Sequence, residues 1–264
     1  MKRILVIFIS LLLLDACSKV PITGRSRLSA VPHEEIMPLV NQQYDSIVRV
    51  GKVLTNTSDG RKVVEVGRRI SQAVESFLKT EGYDDLVEQF EWEFNLLESD
   101  QVNAWCMPGG KVAFYTGILP VTKDETGMAV VMGHEIAHAV ASHSQERMSN
   151  GMAANFGLSL LSAAMGQNPT MTQQLFLQSV GIVGQFGMLK FSRNHELEAD
   201  ELGLLFMAMA GYDPREAPVF WERMAAAGGE APPEFLSTHP GPDRRIERLN
   251  ANMDKALEYY QQNK

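Results

Sequence analysis

From residue 34 the chain places apolar residues at spacings of three and four. Glu34 to Val53 and Arg61 to Leu78 both keep that period, separated by the polar run Thr55-Asn56-Thr57-Ser58-Asp59-Gly60, with Val63, Val66, Ile70, Val74 and Phe77 on one face. The pattern predicts two packing helices that carry no chemistry of their own. At Phe90 the period falls to two: Phe90, Trp92, Phe94 and Leu96 alternate with Glu91, Glu93 and Asn95, which predicts a strand with one buried face. Asn103 to Met107 and Lys111 to Thr116 read as further extended segments around the turn residues Pro108-Gly109-Gly110. A small antiparallel sheet is therefore expected, with Val112, Ala113, Phe114 and Tyr115 in its outer strand.

The next helix differs from the others. Met128, Ala129, Val130, Val131, Met132, Ile136, Ala137, Ala139 and Val140 make it apolar nearly all round, the pattern of a helix enclosed on every side. Thr122 with Glu125 three residues on forms a capping-box pattern for its start. Two stretches rich in Leu, Ala, Gly, Phe and Met follow, from Met148 to Met165 and from Thr172 to Phe191; neither has an uninterrupted apolar run long enough for a membrane span, so core helices or a mobile lid are expected. A further helix runs through Leu202, Leu205, Phe206 and Met209 and closes at Gly211 and Pro214. A charged helix from Arg244 to Tyr260 ends the chain. The sum is a mainly helical α+β fold.

Inside the enclosed helix stand three ionisable residues, His134, Glu135 and His138. Burying them is costly unless they are paired or hold a metal. Positions four apart share a helix face, so His134 and His138 can offer two imidazole nitrogens to one ion, and Glu135, about 100° further round, can act as base on a metal-activated water. A catalytic zinc takes three protein ligands and leaves one position open. The best third ligand is Glu196, four residues before Asp200 on one helical face, with Asp200 fixing the tautomer of a ligand histidine. Glu198 and Glu201 read as solvated acidic neighbours. His33, His143 and His195 fall off the ligand face and are left aside.

Composition narrows the partners. A formal net charge of -8, with no basic stripe, excludes a nucleic-acid binder. At 264 residues the chain can bury a full core and reads as one domain after its leader, over 31–264. The start has a basic flank at Lys2 and Arg3, an apolar run from Ile4 to Leu14, and then Asp15-Ala16-Cys17, the form of an export signal over 1–16. Leu14-Asp15-Ala16-Cys17 resembles a bacterial lipobox, which implies lipidation of Cys17 and a membrane-attached tether over 17–30. Cys106 is then left without a disulfide partner and reads as a small buried hydrophobe.

Four signatures together resemble peptidase family M48: Asn103-Ala104-Trp105 through Pro108-Gly109-Gly110, His134-Glu135-x-x-His138, Ser192-Arg193 leading to Glu196-x-x-x-Asp200, and Ser237-Thr238-His239-Pro240 with Arg245-Ile246. The resemblance implies a gluzincin-like fold, one zinc on His134, His138 and Glu196, and Glu135 as base. It implies that His239 stabilises the oxyanion or closes the metal at rest, with Arg245 a structural or oxyanion-side partner. As a bacterial lipoprotein member, the chain would be a zinc metalloendopeptidase of the cell envelope, lipid-anchored and periplasm-facing at the outer membrane. Its substrates would be unfolded or misassembled envelope proteins, held along Val112 to Tyr115 by their backbone. The alternative is a lipid-anchored, chaperone-like or latent protein whose zinc is closed by His239. An intramembrane prenyl protease would need several spans that the mature chain does not show.

Overall fold

A computed structural model describes residues 17–152, 192–227 and 242–264. The leader, most of the apolar insertion and the segment with His239 lie outside the described residues. The elements in order are β1 (Cys17–Lys19), β2 (Ser26–Leu28), α1 (His33–Val50), α2 (Ser58–Thr80), β3 (Glu93–Leu97), β4 (Ala104–Met107), β5 (Lys111–Tyr115), α3 (Glu125–Val140), α4 (Arg193–Met209), α5 (Glu216–Ala226), α6 (Pro242–Ala251) and α7 (Met253–Asn263). Residues 143–152 are also helical. The class is α+β and mainly helical, as the hydrophobic periodicity predicts. Among the described residues, no helix is long and apolar enough to cross a membrane.

The principal sheet has the order β3-β5-β4. It is mixed rather than antiparallel throughout: β4 pairs antiparallel with β5, and β3 runs parallel to β5 with Phe94 opposite Val112 and Leu96 opposite Phe114. This corrects the expected substrate strand. Val112, Ala113, Phe114 and Tyr115 lie in the central strand, with neighbours on both edges, and all four are buried. Their backbone groups already serve the ladder, so no peptide can add there. The hairpin between β4 and β5 turns at Gly109 and Gly110, at φ 75° and 87°, where Cβ atoms would meet Met37 and Trp92. Only glycine meets both demands at once.

Period-two alternation sends the two faces of the sheet to two cores. Phe94, Leu96, Ala104, Cys106, Val112 and Phe114 join the large core with α2, α3, α4 and α5. Leu97, Trp105, Met107, Ala113 and Tyr115 pack instead with Ile36, Val40 and Tyr44 of α1. Both faces are thus covered, where the alternation alone suggested one. The polar Asn95 is tolerated on the α1 side because its amide donates to the Tyr44 hydroxyl at 2.9 Å and its carbonyl accepts from Thr55 at 2.7 Å.

The start of α3 is capped by Asp124, whose carboxylate accepts from the Gly127 N–H at 2.9 Å. Thr122 instead ends a short preceding turn of helix, where its hydroxyl donates to the Leu119 carbonyl. Lys123, at φ 66°, reverses the chain between the two. The capping-box reading therefore sits two residues too early.

The expected tether also has structure. β1 and β2 form an antiparallel hairpin, and Val20 between them is fully buried in the large core. Cys17, its first residue, is exposed.

Candidate metal centre

Helices α3 and α4 meet with almost no side chain between them. A Cβ on Gly133 would lie 2.6 Å from the Gly203 carbonyl oxygen, and one on Gly203 would lie 2.7 Å from the His134 nitrogen. A glycine inside a helix costs about 1 kcal/mol against alanine, and here the return is a backbone-to-backbone crossing. That crossing brings Glu196, near the start of α4, against His134 and His138 on α3.

The three side chains converge. His134 Nε2 lies 3.1 Å from His138 Nε2 and 3.4 Å from Glu196 Oε2, and His138 Nε2 lies 3.6 Å from Glu196 Oε1. One donor atom from each falls within 4.8 Å of the others, and all three residues are buried. Donors on a tetrahedral zinc at about 2.0–2.1 Å are separated by roughly 3.3–3.4 Å, so the spacing present is already close to that of a ligand set. The donor chemistry agrees with a dication: two imidazoles whose Nε2 atoms face each other, plus a carboxylate, all on buried side chains.

Behind the ligands lie partners that orient them. His134 Nδ1 is 3.0 Å from Asp200 Oδ1, and Asp200 accepts from Arg245 Nε at 2.7 Å and from its Nη2 at 2.5 Å. The Arg245 guanidinium carbon stands 3.4 Å from the centre of the Trp221 ring, and its Nη1 is 3.6 Å from Glu196 Oε2. Arg245 is 1% exposed. Its Nε and Nη2 donate to Asp200, and Nη2 also lies 3.1 Å from His134 Nδ1, so it braces the ligand histidine and its carboxylate; of the two roles the sequence left open for it, this geometry supports the structural one.

Charge follows from this packing. Burial and the Arg245 charge push the His134 imidazole down, but hydrogen bonds to Asp200 and Glu196 outweigh them and raise it to about 9. Burial would raise Asp200; Arg245 and His134 hold it below the usual carboxylate range. Glu135 is 2% exposed, and burial, reinforced by Glu196 and opposed by His134 and Arg245, lifts its carboxyl to about 8. It accepts a hydrogen bond from the Cys106 N–H of β4. The thiol of Cys106 itself is buried and pushed well above its ordinary pKa, which suits the hydrophobic role expected of it.

β4 is the strand beside this base, and it is an edge of the sheet. The Tyr115 N–H donates to the Asn103 carbonyl at 3.0 Å, which fixes the alternation: Trp105 and Met107 bond toward β5, while Ala104 and Cys106 turn their backbone groups to the other edge. Among the described residues no strand pairs along that edge.

Two histidines set aside at the sequence level sit close to the centre. α3 ends at Val140, Ser142 takes φ 52°, and the turn brings His143 back so that its Nδ1 is 2.8 Å from His138 Nδ1. His143 Nε2 is 3.0 Å from Glu198 Oε2. His195 stacks on His143 with ring centres 4.4 Å apart, and its Nε2 is 3.2 Å from Glu146. Helix-face reasoning stops where the helix stops, so spacing along α3 had no means of finding His143. Glu198 is buried rather than solvated. His239 lies outside the described residues.

Residues 66–253 match the sequence profile of Peptidase family M48. Mitochondrial metalloendopeptidase OMA1 of Schizosaccharomyces pombe is 35% identical over 239 residues, which cover 85% of this chain and 68% of that protein. The OMA1 of Saccharomyces cerevisiae is 32% identical over 92% of this chain and 71% of its own length. The beta-barrel assembly-enhancing protease of Escherichia coli K12 is 29% identical over 59% of this chain and 33% of its own length.

Proposed function

The chain belongs to peptidase family M48 and is a metalloendopeptidase, and we propose that its metal is zinc, held by His134, His138 and Glu196, with Glu135 as general base. The observation that carries this reading is the meeting of two Nε2 atoms and a carboxylate at 3.1, 3.4 and 3.6 Å, with Glu135 the next residue along the same helix. Zinc bound there supplies the Lewis acidity that makes water a better nucleophile and polarises a peptide carbonyl.

Glu135 takes the proton of the attacking water and returns it to the leaving amine. Its place between α3 and the Cys106 N–H of β4 lets it serve a scissile bond lying along that strand. The substrate strand is accordingly assigned to Ala104–Met107, where the outward carbonyls of Ala104 and Cys106 can accept from an extended peptide, the Ala104 N–H being held by the Asn103 side chain and the Cys106 N–H by Glu135. Backbone recognition of this kind favours unfolded chains over one fixed sequence. Asp200 and Arg245 hold His134 in orientation. The Ser237-Thr238-His239-Pro240 motif supports His239 as a donor to the oxyanion.

The substrates we infer are unfolded or misassembled proteins of a bacterial envelope. The leader pattern, the lipobox resemblance and an exposed Cys17 support attachment by lipid, facing the periplasm at the outer membrane. The likeness to a beta-barrel assembly-enhancing protease supports membrane β-barrels under assembly as one such substrate class, beside the stronger likeness to mitochondrial OMA1. The test is metal content against sequence: Glu196→Ala should lose zinc by elemental analysis and lose casein cleavage with it. A Glu196→Ala protein that keeps one zinc per chain would overturn the ligand set.

A further inference from the structure

The two histidines of the centre are backed in different ways. His134 meets its carboxylate directly, through Asp200, and that carboxylate is held by Arg245. His138 has another histidine in between: His138 Nδ1 to His143 Nδ1 at 2.8 Å, His143 Nε2 to Glu198 Oε2 at 3.0 Å, and Glu198 Oε2 to Arg25 Nε at 2.7 Å. Each arrangement ends on an arginine, and the second arginine belongs to the N-terminal hairpin.

The direction of the second chain of bonds follows from its end. Glu198 accepts from Arg25 at 2.7 Å and from the Thr23 hydroxyl at 2.6 Å, so it is an ionised acceptor with no proton to give. A neutral His143 then carries its proton on Nε2, and its Nδ1 is left as an acceptor. A contact of 2.8 Å between two Nδ1 atoms takes one proton, which has to be that of His138. His138 is thereby kept with Nδ1 protonated and the Nε2 lone pair turned toward His134 and Glu196, the tautomer a metal needs.

Arg25 is also fixed from its other side. Its Nη1 and Nη2 form a fork on Glu146 at 2.8 and 2.7 Å, and Glu146 in turn holds His195, which stacks on His143. One guanidinium thus holds two buried carboxylates, one from the helical stretch after α3 and one from α4. Removing the cation would leave Glu146 to His195, and Glu198 to His143 and Thr23.

We propose that Arg25, Glu198 and His143 are positioning residues that set the tautomer and orientation of His138, so that the hairpin starting at Cys17 is a working part of the metal centre. The inference rests on the zinc reading above but makes a statement about the protein without metal as well. It gives the hairpin a purpose that a mere tether lacks: the segment next to the predicted membrane anchor completes the support of a ligand.

The test uses the full chain. In 15N-histidine spectra of metal-free wild type, His138 should show a protonated Nδ1 and a bare Nε2; the opposite tautomer overturns the relay whatever the metal does. In zinc competition against a chromophoric chelator, Arg25→Met and His143→Phe should each bind zinc about 10–100-fold more weakly than wild type, the usual effect of losing such a partner. kcat on casein should fall while KM stays within about twofold, because neither residue reaches the peptide. Arg25→Lys, which keeps the charge without the fork, should recover part of the loss. Zinc affinity within twofold of wild type in folded Arg25→Met and His143→Phe would also overturn the proposal. If wild type bound no zinc, the functional reading would fall, and the tautomer measurement would still decide the relay.

Discussion

The crossing of α3 and α4 gives the sharpest mechanical prediction, through Gly203→Ala. The added Cβ would stand 2.7 Å from the His134 nitrogen and 2.8 Å from the Gly133 carbonyl carbon. Unstrained non-bonded contacts begin at about 3.5 Å, so the helices must separate by roughly 0.8 Å. Both obstructing atoms are backbone, and no side-chain rotation relieves them. Alanine gains about 1 kcal/mol in helix propensity, while overpacking of this kind costs about 1–3 kcal/mol, so a net loss of up to about 2 kcal/mol is expected in urea unfolding of the metal-free protein. The metal should register the change more strongly. Ligand distances in zinc sites hold to about ±0.2 Å, and a shift of roughly 0.8 Å between Glu196 and the histidine pair exceeds that tolerance. Zinc competition should therefore show a loss larger than the stability change alone conveys. If Gly203→Ala is stabilised and binds zinc like wild type, the crossing does not set the ligand geometry and the reasoning is wrong.

Three further outcomes follow from single contacts. Arg245→Met should destabilise the protein by about 3–5 kcal/mol in chemical unfolding, because it takes the fixed cation from the buried Asp200 and leaves that carboxylate to His134; Arg245→Lys should recover little, since it can neither fork onto Asp200 nor lie flat against Trp221. Asp124→Ala should cost about 1 kcal/mol and Asp124→Ser much less, as expected for an N-cap, and an equal loss in both would remove Asp124 from that role. Burial would raise the Glu146 carboxyl, but His195 and Arg25 outweigh it and hold Glu146 at about 2, below the about 4.3 of an unfolded glutamate. Its contribution is full above about pH 4.3 and is lost as the pH falls toward 2; circular dichroism should show Arg25→Met unfolding at a higher pH than wild type, and identical acid midpoints would refute the pairing.

What could be read from the chain was whatever repeats locally. The all-round apolar character of α3 announced an enclosed helix, and every residue from Gly127 to Val140 is buried. The alternation from Phe90 onward announced β3, and the four-residue spacings placed His134 with His138 and Glu196 with Asp200. Errors arose where distant partners decide. The run Val112-Ala113-Phe114-Tyr115 signals two buried faces but not which strand is the edge; that depends on β3 pairing with β5 rather than with β4. Thr122-x-x-Glu125 satisfies a capping rule that Asp124 satisfies better once Lys123 turns the chain. The polar composition of residues 18–30 suggested a tether because the partners of Arg25 lie 121 and 173 residues further on. No local pattern reports such a contact.

The central claim is that Glu135 performs the proton transfers of a metal centre it does not itself build. The most direct measurement compares wild type with Glu135→Gln for zinc per chain and for casein turnover in the same preparation. The account predicts one zinc in both proteins and a fall in turnover of at least about 10²-fold in the variant. Turnover near the wild-type rate, or loss of the zinc with the carboxylate, would contradict it.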